Sequence, residues 1–131
     1  MIEENIEFIL RGAPRTKKNS SRIVVNKATG RAMVLPSKEY KEYEELCGWS
    51  IPAWLRALKI DEPVNLKCVY YMPTRRRVDL TNLLAATCDI LVKYGVLADD
   101  NCSIVASHDG CRVEYDKTNP RVEITIEKKE I

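Results

Sequence analysis

Arginines and aspartates lie close together in the middle of this 131-residue chain. Residues 75–77 are three consecutive arginines, and the aspartates that follow them are Asp79, Asp89, Asp99 and Asp100. Guanidinium groups bind phosphate through paired hydrogen bonds, and clustered carboxylates hold hard divalent cations through oxygen. The combination predicts metal-assisted chemistry on a nucleic-acid backbone.

The basic residues are unevenly distributed, although the formal net charge is only +2. Between residues 8 and 38 there is no acidic side chain, whereas eight basic ones occur there, with Lys17 and Lys18 in a polar loop. A surface polarised in this way favours a polyanion, with an affinity that falls as salt rises.

Length and composition indicate a single domain over residues 1–131. The chain is 45% hydrophobic and 31% charged, which is ordinary for a globular protein large enough to bury a core. No apolar run approaches the roughly 20 residues of a membrane-spanning helix. Five cysteines without a CxxC pair, and one histidine, predict reduced core thiols in a cytoplasmic protein and argue against a zinc site.

Hydrophobic periodicity predicts one α/β (α+β) domain with a mixed sheet and two main helices. Single strands are predicted at 6–10, 63–72 and 121–127, and two hairpins at 22–35 and 103–115. One helix begins at Ser37, is interrupted by Pro52 and continues over 53–58. The main helix is predicted over 80–94 and ends before Gly95.

The aspartates have a plausible common location on this outline. Asp79 lies at the start of the main helix, and Asp89 lies in a polar stripe opposite its apolar face. The loop that carries Asp99 and Asp100 can fold back towards the same region. One cation held by Asp79, Asp100 and Asp89 is therefore expected.

Each aspartate also has an ordinary structural explanation. Asp79 is a good N-cap residue, and Asp89 can pair with Lys93 one turn later. Residues 99–101 can form a turn through side-chain hydrogen bonds to their own backbone. Two adjacent like charges are costly without a counter-ion, which favours a bound cation.

Other conspicuous residues have simpler interpretations. His108 lies at the predicted tip of the second hairpin, where a surface turn is expected. Trp49 and Trp54 lie about one turn apart across the helix break, so they are interpreted as core residues or as contacts in a dimer.

The segment RRRVDLTNLLAATCDILVKYGVLADD (75–100) resembles the RusA family of Holliday junction resolvases, small endodeoxyribonucleases common in bacterial prophages. The family pattern runs from basic residues to Asp-x-Asp-Asn-Leu, a later Lys and Asp, then Gly and paired aspartates. The order of the remaining elements agrees across nearly the whole chain. The matching positions are Asp79, Asn82, Leu83, Asp89, Gly95, Asp99 and Asp100.

The resemblance implies a homodimer that binds branched DNA, the four-way junction, and cuts two strands with Mg²⁺ or Mn²⁺ and no organic cofactor. It assigns catalysis to Asp79, Asp89, Asp99 and Asp100. Asp79, Asp89 and Asp100 are the expected metal ligands, and Asn82 orients one of them. The expected DNA-backbone contacts are Arg15, Lys17, Lys18, Arg22, Arg75, Arg76 and Arg77.

Two positions depart from the pattern: Thr81 replaces the second Asp, and Ala85 replaces the Lys. The site has therefore lost one negative charge and one ammonium group. A junction-binding protein with weak or no cleavage is the alternative function. A third is a single-strand binder that stacks bases on Tyr70 and Tyr71.

Overall fold

The computed structural model describes residues 4–17 and 21–129, apart from the side chains of residues 21, 22, 34 and 36. Lys18 and the side chain of Arg22 therefore lie outside the described part. The elements in chain order are β1 (Ile6–Arg11), β2 (Ser21–Val25), β3 (Ala32–Pro36), α1 (Lys38–Ser50), α2 (Ala53–Arg56), β4 (Val64–Met72), α3 (Leu80–Lys93), β5 (Val105–Ser107), β6 (Arg112–Tyr115) and β7 (Arg121–Lys128).

The main sheet is mixed, which confirms the predicted α/β class. β7 lies between β1 and β4 and pairs with both in the antiparallel direction. The other edge of β4 pairs with β5 and β6, and both of these strands run parallel to it. β2 and β3 form a separate antiparallel hairpin, as predicted.

Helix α1 begins where the sequence predicts. The Ser37 side chain accepts a hydrogen bond from the Tyr40 N–H at 3.1 Å, which satisfies one of the free donors of the first turn. Tyr40, Tyr43 and Cys47 form its buried face. After Pro52 only the four residues of α2 are helical, fewer than predicted.

Helix α3 connects β4 to two strands that run parallel to β4, so the three elements form a βαβ crossover. Its apolar face is buried through Leu83, Ile90 and Leu91. In the middle of the helix the Thr87 and Tyr70 hydroxyls form a buried hydrogen bond of 2.7 Å, which ties α3 to β4. The helix is therefore held in a fixed position against the strand.

The predicted second hairpin is wrong. β5 and β6 do not pair with each other in the structure, and each instead lies beside a different half of β4. The Asn65 side chain accepts the Asp109 N–H at 2.7 Å and donates to the Asp109 carbonyl at 3.1 Å. Residues 108–111 therefore form a bulge between two collinear strands.

The core interpretation of the two tryptophans is also wrong. Trp49 is 87% exposed and Trp54 is 58% exposed, so neither belongs to the hydrophobic core. Their suggested role in a dimer contact stays a prediction. Among the described residues, no helix combines the length and apolarity that crossing a membrane requires.

Candidate nucleic-acid interface and carboxylate site

The arginines and Asp79 lie at one edge of the βαβ crossover, which we call the arginine edge (residues 74–79 and 115–116). It is formed where β4 and β6 end together, because the Asp116 N–H bonds to the Met72 carbonyl at 2.9 Å. Arg75, Arg76 and Arg77 are all exposed there. Among the described residues, no carboxylate forms an ion pair with these three guanidinium groups.

One arginine of this edge is held by an aromatic ring. The Arg75 guanidinium lies 4.4 Å from the centre of the Tyr115 ring, within the range of a cation–π contact. Nearby Arg121 also stacks on Tyr71 at 3.9 Å, but its charge is balanced by Asp116 and Glu123, each at 2.9 Å. Arg75 to Arg77 are therefore exposed cations of this edge that no carboxylate among the described residues balances.

Asp79 occupies the N-cap position of α3 but does not cap the helix with its carboxylate. Its Oδ2 atom instead accepts a hydrogen bond from the Asn82 amide at 3.2 Å. This contact agrees with the expected orienting role of Asn82. The side chain of Asp79 is exposed, so its oxygens are open to a ligand.

Asp89 lies away from Asp79 and has its own partner. Its carboxylate pairs with the Lys17 ammonium at 3.1 Å, and each side chain is 46% exposed. The alternative pairing with Lys93 is wrong, because Lys93 pairs with Glu44 of α1. The Lys17 ammonium also lies 5.7 Å from the centre of the Tyr40 ring.

The paired aspartates lie in the loop after α3, which we call the acidic loop (residues 98–103). Asp99 accepts hydrogen bonds from the Asp100 N–H at 2.7 Å and from the Asn101 amide at 3.0 Å. These bonds, the backbone one first, hold the pKa of Asp99 below its usual value. The expected turn is therefore present, and its two carboxylates are exposed.

The structure does not bring the four aspartates together within one chain. Asp79 and Asp89 are ten residues apart in sequence, which is about 15 Å along a helix, whereas two oxygens that share a cation lie within about 5 Å. Asp99 and Asp100 follow the far end of α3, about 20 Å from its start. One ion bound by Asp79, Asp89 and Asp100 of a single chain does not fit this geometry.

Backbone contacts also place the acidic loop near the start of β4, whereas the arginine edge lies where β4 ends. The acidic loop is anchored to the residues that precede β4, since the Ala98 N–H bonds to the Ile60 carbonyl at 2.9 Å. Val64, the first residue of β4, donates to the Ile104 carbonyl at 2.8 Å. In the part of the chain that the structure describes, no group of three acidic, histidine or cysteine residues is arranged to hold a metal ion.

Each end of α3 nevertheless carries oxygen donors of the same kind. Asp79 with Asn82 supplies carboxylate and amide oxygens at the arginine edge. Asp99, Asp100 and Asn101 supply the same groups in the acidic loop. Such hard donors suit Mg²⁺ or Mn²⁺. The donor chemistry at each end fits a divalent cation.

The remaining basic candidates differ in their surroundings. Arg15 is exposed. The pKa of the Glu39 carboxyl in α1 is lowered mainly by a backbone hydrogen bond, and the nearby Arg15 guanidinium lowers it further. Lys17 is engaged by Asp89. Lys18 and the Arg22 side chain are outside the described residues, so their predicted DNA contacts stay predictions.

Sequence reasoning missed the contributions of Tyr115 and Asp116 to the arginine edge. Tyr115 was predicted to be the last residue of a hairpin, and the parallel pairing of β6 with β4 instead places it beside Arg75. The same pairing brings the Asp116 N–H to the Met72 carbonyl. No local sequence signal distinguishes the two arrangements, because turn residues at positions 108–110 are equally typical of a hairpin and of a bulge.

Comparison with known proteins gives a family assignment. A search of curated proteins yields no match. The family model described as endodeoxyribonuclease RusA matches residues 12–127, from the end of β1 to the end of β7. The match covers the arginine edge, α3 and the acidic loop together, and this chain therefore belongs to the RusA family of Holliday junction endonucleases.

Proposed function

We propose that this protein is a homodimeric, divalent-metal-dependent endodeoxyribonuclease that cuts four-way DNA junctions, with each cleavage site assembled from two copies of the chain. The observation that carries the proposal is the match to a family of junction endonucleases over residues 12–127, together with exposed carboxylates beside three arginines that have no carboxylate partner among the described residues. Mg²⁺ is the expected cation, and Mn²⁺ the expected substitute. We also propose a cytoplasmic location, which five free cysteines support.

The separation of the carboxylates supports the need for a second copy. Within one chain, α3 keeps the arginine edge and the acidic loop about 20 Å apart. In a two-fold dimer, the start of α3 from one copy can lie beside the acidic loop of the other, and symmetry then creates two such places. Asp79 of one copy and Asp99 and Asp100 of its partner would hold the ion.

The bound metal would supply a polarised water and positive charge near the scissile phosphate. The chain's own residues have separate tasks. Asn82 fixes the orientation of the Asp79 carboxylate through their hydrogen bond. The guanidinium groups of residues 75–77 bind the phosphates on either side, because they are exposed and lack a carboxylate partner among the described residues.

Two paired cleavage sites suit the substrate class. A four-way junction has two-fold symmetry in its own strands, so a symmetric dimer presents one site to each of two equivalent strands. The exposed arginines at each site would attract the phosphate backbone independently of sequence. The proposed selectivity is therefore for the shape of the junction.

A junction-binding protein with little cleavage is the second candidate. Thr81 is exposed in the first turn of α3, next to Asp79, where the family has another carboxylate. A hydroxyl binds a divalent cation more weakly than a carboxylate does. The single-strand-binding candidate loses support, because Tyr70 is fully buried and the Tyr71 ring is covered by Arg121.

A cleavage assay tests the proposal directly. The purified protein is incubated with a labelled four-way junction, with Mg²⁺, with Mn²⁺ and with a chelator, and linear duplex of the same sequence is the control. We expect paired nicks in the junction only when metal is present. Junction binding without nicks at millimolar metal would favour the second candidate, and equal cutting of the linear duplex would exclude junction selectivity.

A further inference from the structure

A compact cluster of sulfur and imidazole groups lies at the bulge between β5 and β6, on the middle of β4. The bulge is fixed by the buried Asn65 side chain, which binds the Asp109 backbone and also accepts the Ser107 hydroxyl at 2.6 Å. This network holds His108 and Cys111 against β4. None of these residues belongs to the arginine edge or the acidic loop.

Cys111 is the partly exposed member of the cluster. Its sulfur accepts a hydrogen bond from the Cys68 N–H at 3.2 Å. The Cys68 thiol is close enough for Cys111 to raise its pKa. Cys68 itself is fully buried. A backbone donor aimed at sulfur stabilises the thiolate, the nucleophilic form of cysteine.

His108 supplies the balancing positive charge. Its Nδ1 atom lies 2.8 Å from the Leu66 carbonyl, which can only accept, so this nitrogen carries a proton and Nε2 is left for the thiols. The thiols of Cys111 and Cys88 are close enough to the imidazole to act on its pKa. A protonated imidazole between two sulfurs is therefore the arrangement that satisfies its neighbours.

The electrostatics agree with this arrangement. Hydrogen bonds from Cys68 and then His108 lower the pKa of Cys111 to about 5. Hydrogen bonds with Cys111 and Cys88 raise the pKa of His108 to about 10. The 3.4 Å contact from the Cys111 sulfur to the Leu66 carbonyl favours the neutral thiol, but two donors outweigh that single acceptor.

We propose that Cys111 is a covalent modification site, a nucleophilic thiol that reacts with hydroperoxides and small carbon electrophiles, with Cys68 as its resolving partner. This inference goes beyond nuclease function and does not depend on it. A zinc site is disfavoured by the geometry, since within residues 4–17 and 21–129 no group of three such ligands is placed around a common ion position.

With a hydroperoxide the proposed reaction has two balanced steps. The Cys111 thiolate attacks the terminal peroxide oxygen, an S–O bond forms, the O–O bond breaks, and the leaving oxygen takes a proton from His108. The Cys68 sulfur then attacks the Cys111 sulfur, an S–S bond forms, and the sulfenic oxygen leaves as water with the Cys68 proton. The hydroperoxide is reduced, and the two thiols are oxidised to one disulfide.

Alkylation by iodoacetamide across pH tests the activated thiol, with solvent-exposed Cys102 as the reference in the same molecule. An ordinary thiol loses about tenfold in rate per pH unit below its pKa, whereas a thiolate held by His108 keeps its rate down to about pH 6. We expect the ratio of Cys111 to Cys102 labelling to rise about a hundredfold between pH 8 and pH 6. A constant ratio would overturn the proposal.

Other charged groups near the bulge also surround Cys111 during the pH-dependent alkylation. The Lys67 side chain lies along Gly110, and Asp109 pairs with Lys129 at 3.7 Å. His108→Gln is expected to make the Cys111 rate fall with pH as an ordinary thiol does, while Cys102 is unchanged. If the alkylation rate of Cys111 in the variant still did not change with pH, His108 would not be the group that activates this thiol.

Peroxide treatment tests the resolving step in the full chain. We expect the wild-type protein to form an intramolecular bond between Cys68 and Cys111, found by peptide mass spectrometry. Cys68→Ala is expected to stop at a sulfenic acid on Cys111 that dimedone traps, and Cys111→Ser to form neither product. Preferential oxidation of Cys102, with no bond between residues 68 and 111, would contradict the assignment.

Discussion

Different polar residues surround the two ends of α3. At the arginine edge, Asp79 has one side-chain partner, Asn82, and lies beside three arginines without carboxylate partners among the described residues. In the acidic loop, Asp99 is bound by its own backbone neighbour and by Asn101. The first end offers exposed guanidinium groups and one carboxylate, and the second end offers two carboxylates and an amide.

This difference suggests why one chain is not a complete nuclease site. A helix of 14 residues keeps the arginine edge and the acidic loop apart, and the bond between Thr87 and Tyr70 fixes that helix to the sheet. In the proposed dimer, a second copy would bring one end of each kind together. Dimerisation would then be required for cleavage as well as for symmetry.

The largest expected effect follows from removing a carboxylate at either end. Asp79→Asn and Asp100→Asn should each lower junction cleavage by at least about a hundredfold, as loss of one preorganised charge at a reacting centre does. Junction affinity should be equal or higher, because less negative charge faces the phosphates.

Single-turnover cleavage and gel-shift titration measure the two quantities. The exposed residue Glu45 of α1 provides a matched control, and Glu45→Gln should change neither one. Loss of binding in step with cleavage would mean that the two aspartates support the fold and do not act in the reaction.

The hydrogen bond that holds α3 against β4 can be removed without changing a residue at either end of the helix. Thr87→Val should cost about 1–3 kcal/mol of unfolding free energy, because it leaves the buried Tyr70 hydroxyl without its partner. Urea denaturation measures this loss. Adding Tyr70→Phe should recover most of it, and a Thr87→Val protein as stable as the wild type would show that the bond contributes little.

Substitution of Thr81 can place a second carboxylate beside Asp79, so that this end of α3 has two carboxylates as the acidic loop does. Thr81→Asp should lower the Mg²⁺ concentration for half-maximal cleavage by roughly tenfold, because ligand charge tunes cation affinity. It should also stabilise α3 by about 0.3–1 kcal/mol through the helix dipole. Thr81→Asn has the same shape without the charge, so an equal response from both variants would rule out an added ligand.

The smallest expected effect concerns Lys17, which already pairs with Asp89. If Lys17 also reaches a phosphate, Lys17→Ala should reduce the slope of log affinity against log salt by about 0.9. Fluorescence anisotropy at several salt concentrations measures the slope. Lys128→Ala, at the exposed end of β7, should leave it unchanged, and an unchanged slope for Lys17→Ala would restrict Lys17 to its ion pair.

Local signals were sufficient for the strongly periodic elements. The apolar spacing after Asp79 predicted a helix over 80–94, and α3 spans Leu80–Lys93. The Ser37 cap and the alternation in β7 were equally reliable, because each depends on neighbouring residues alone. The α/β class followed from these elements.

Strand direction and side-chain partners could not be predicted from neighbouring residues in the same way. Whether residues 103–115 form a hairpin or a bulged strand depends on Asn65, which is more than forty residues away and binds Asp109. The pairing of Lys17 with Asp89 likewise depends on how the N-terminal loop meets α3. The rise of α3 itself argues against a shared ion between Asp79 and Asp89, a constraint that charge clustering alone does not reveal.

The central claim, a cleavage site shared between two copies, is tested most directly by a mixed dimer. Asp79→Asn and Asp100→Asn chains with different tags are co-expressed, and the heterodimer is purified and assayed on a four-way junction. One of its two composite sites then has both wild-type carboxylates, so we expect about half the wild-type rate of nicking, confined to one strand. A heterodimer as inactive as the two mutant homodimers, beside an active wild-type protein, would contradict the shared site.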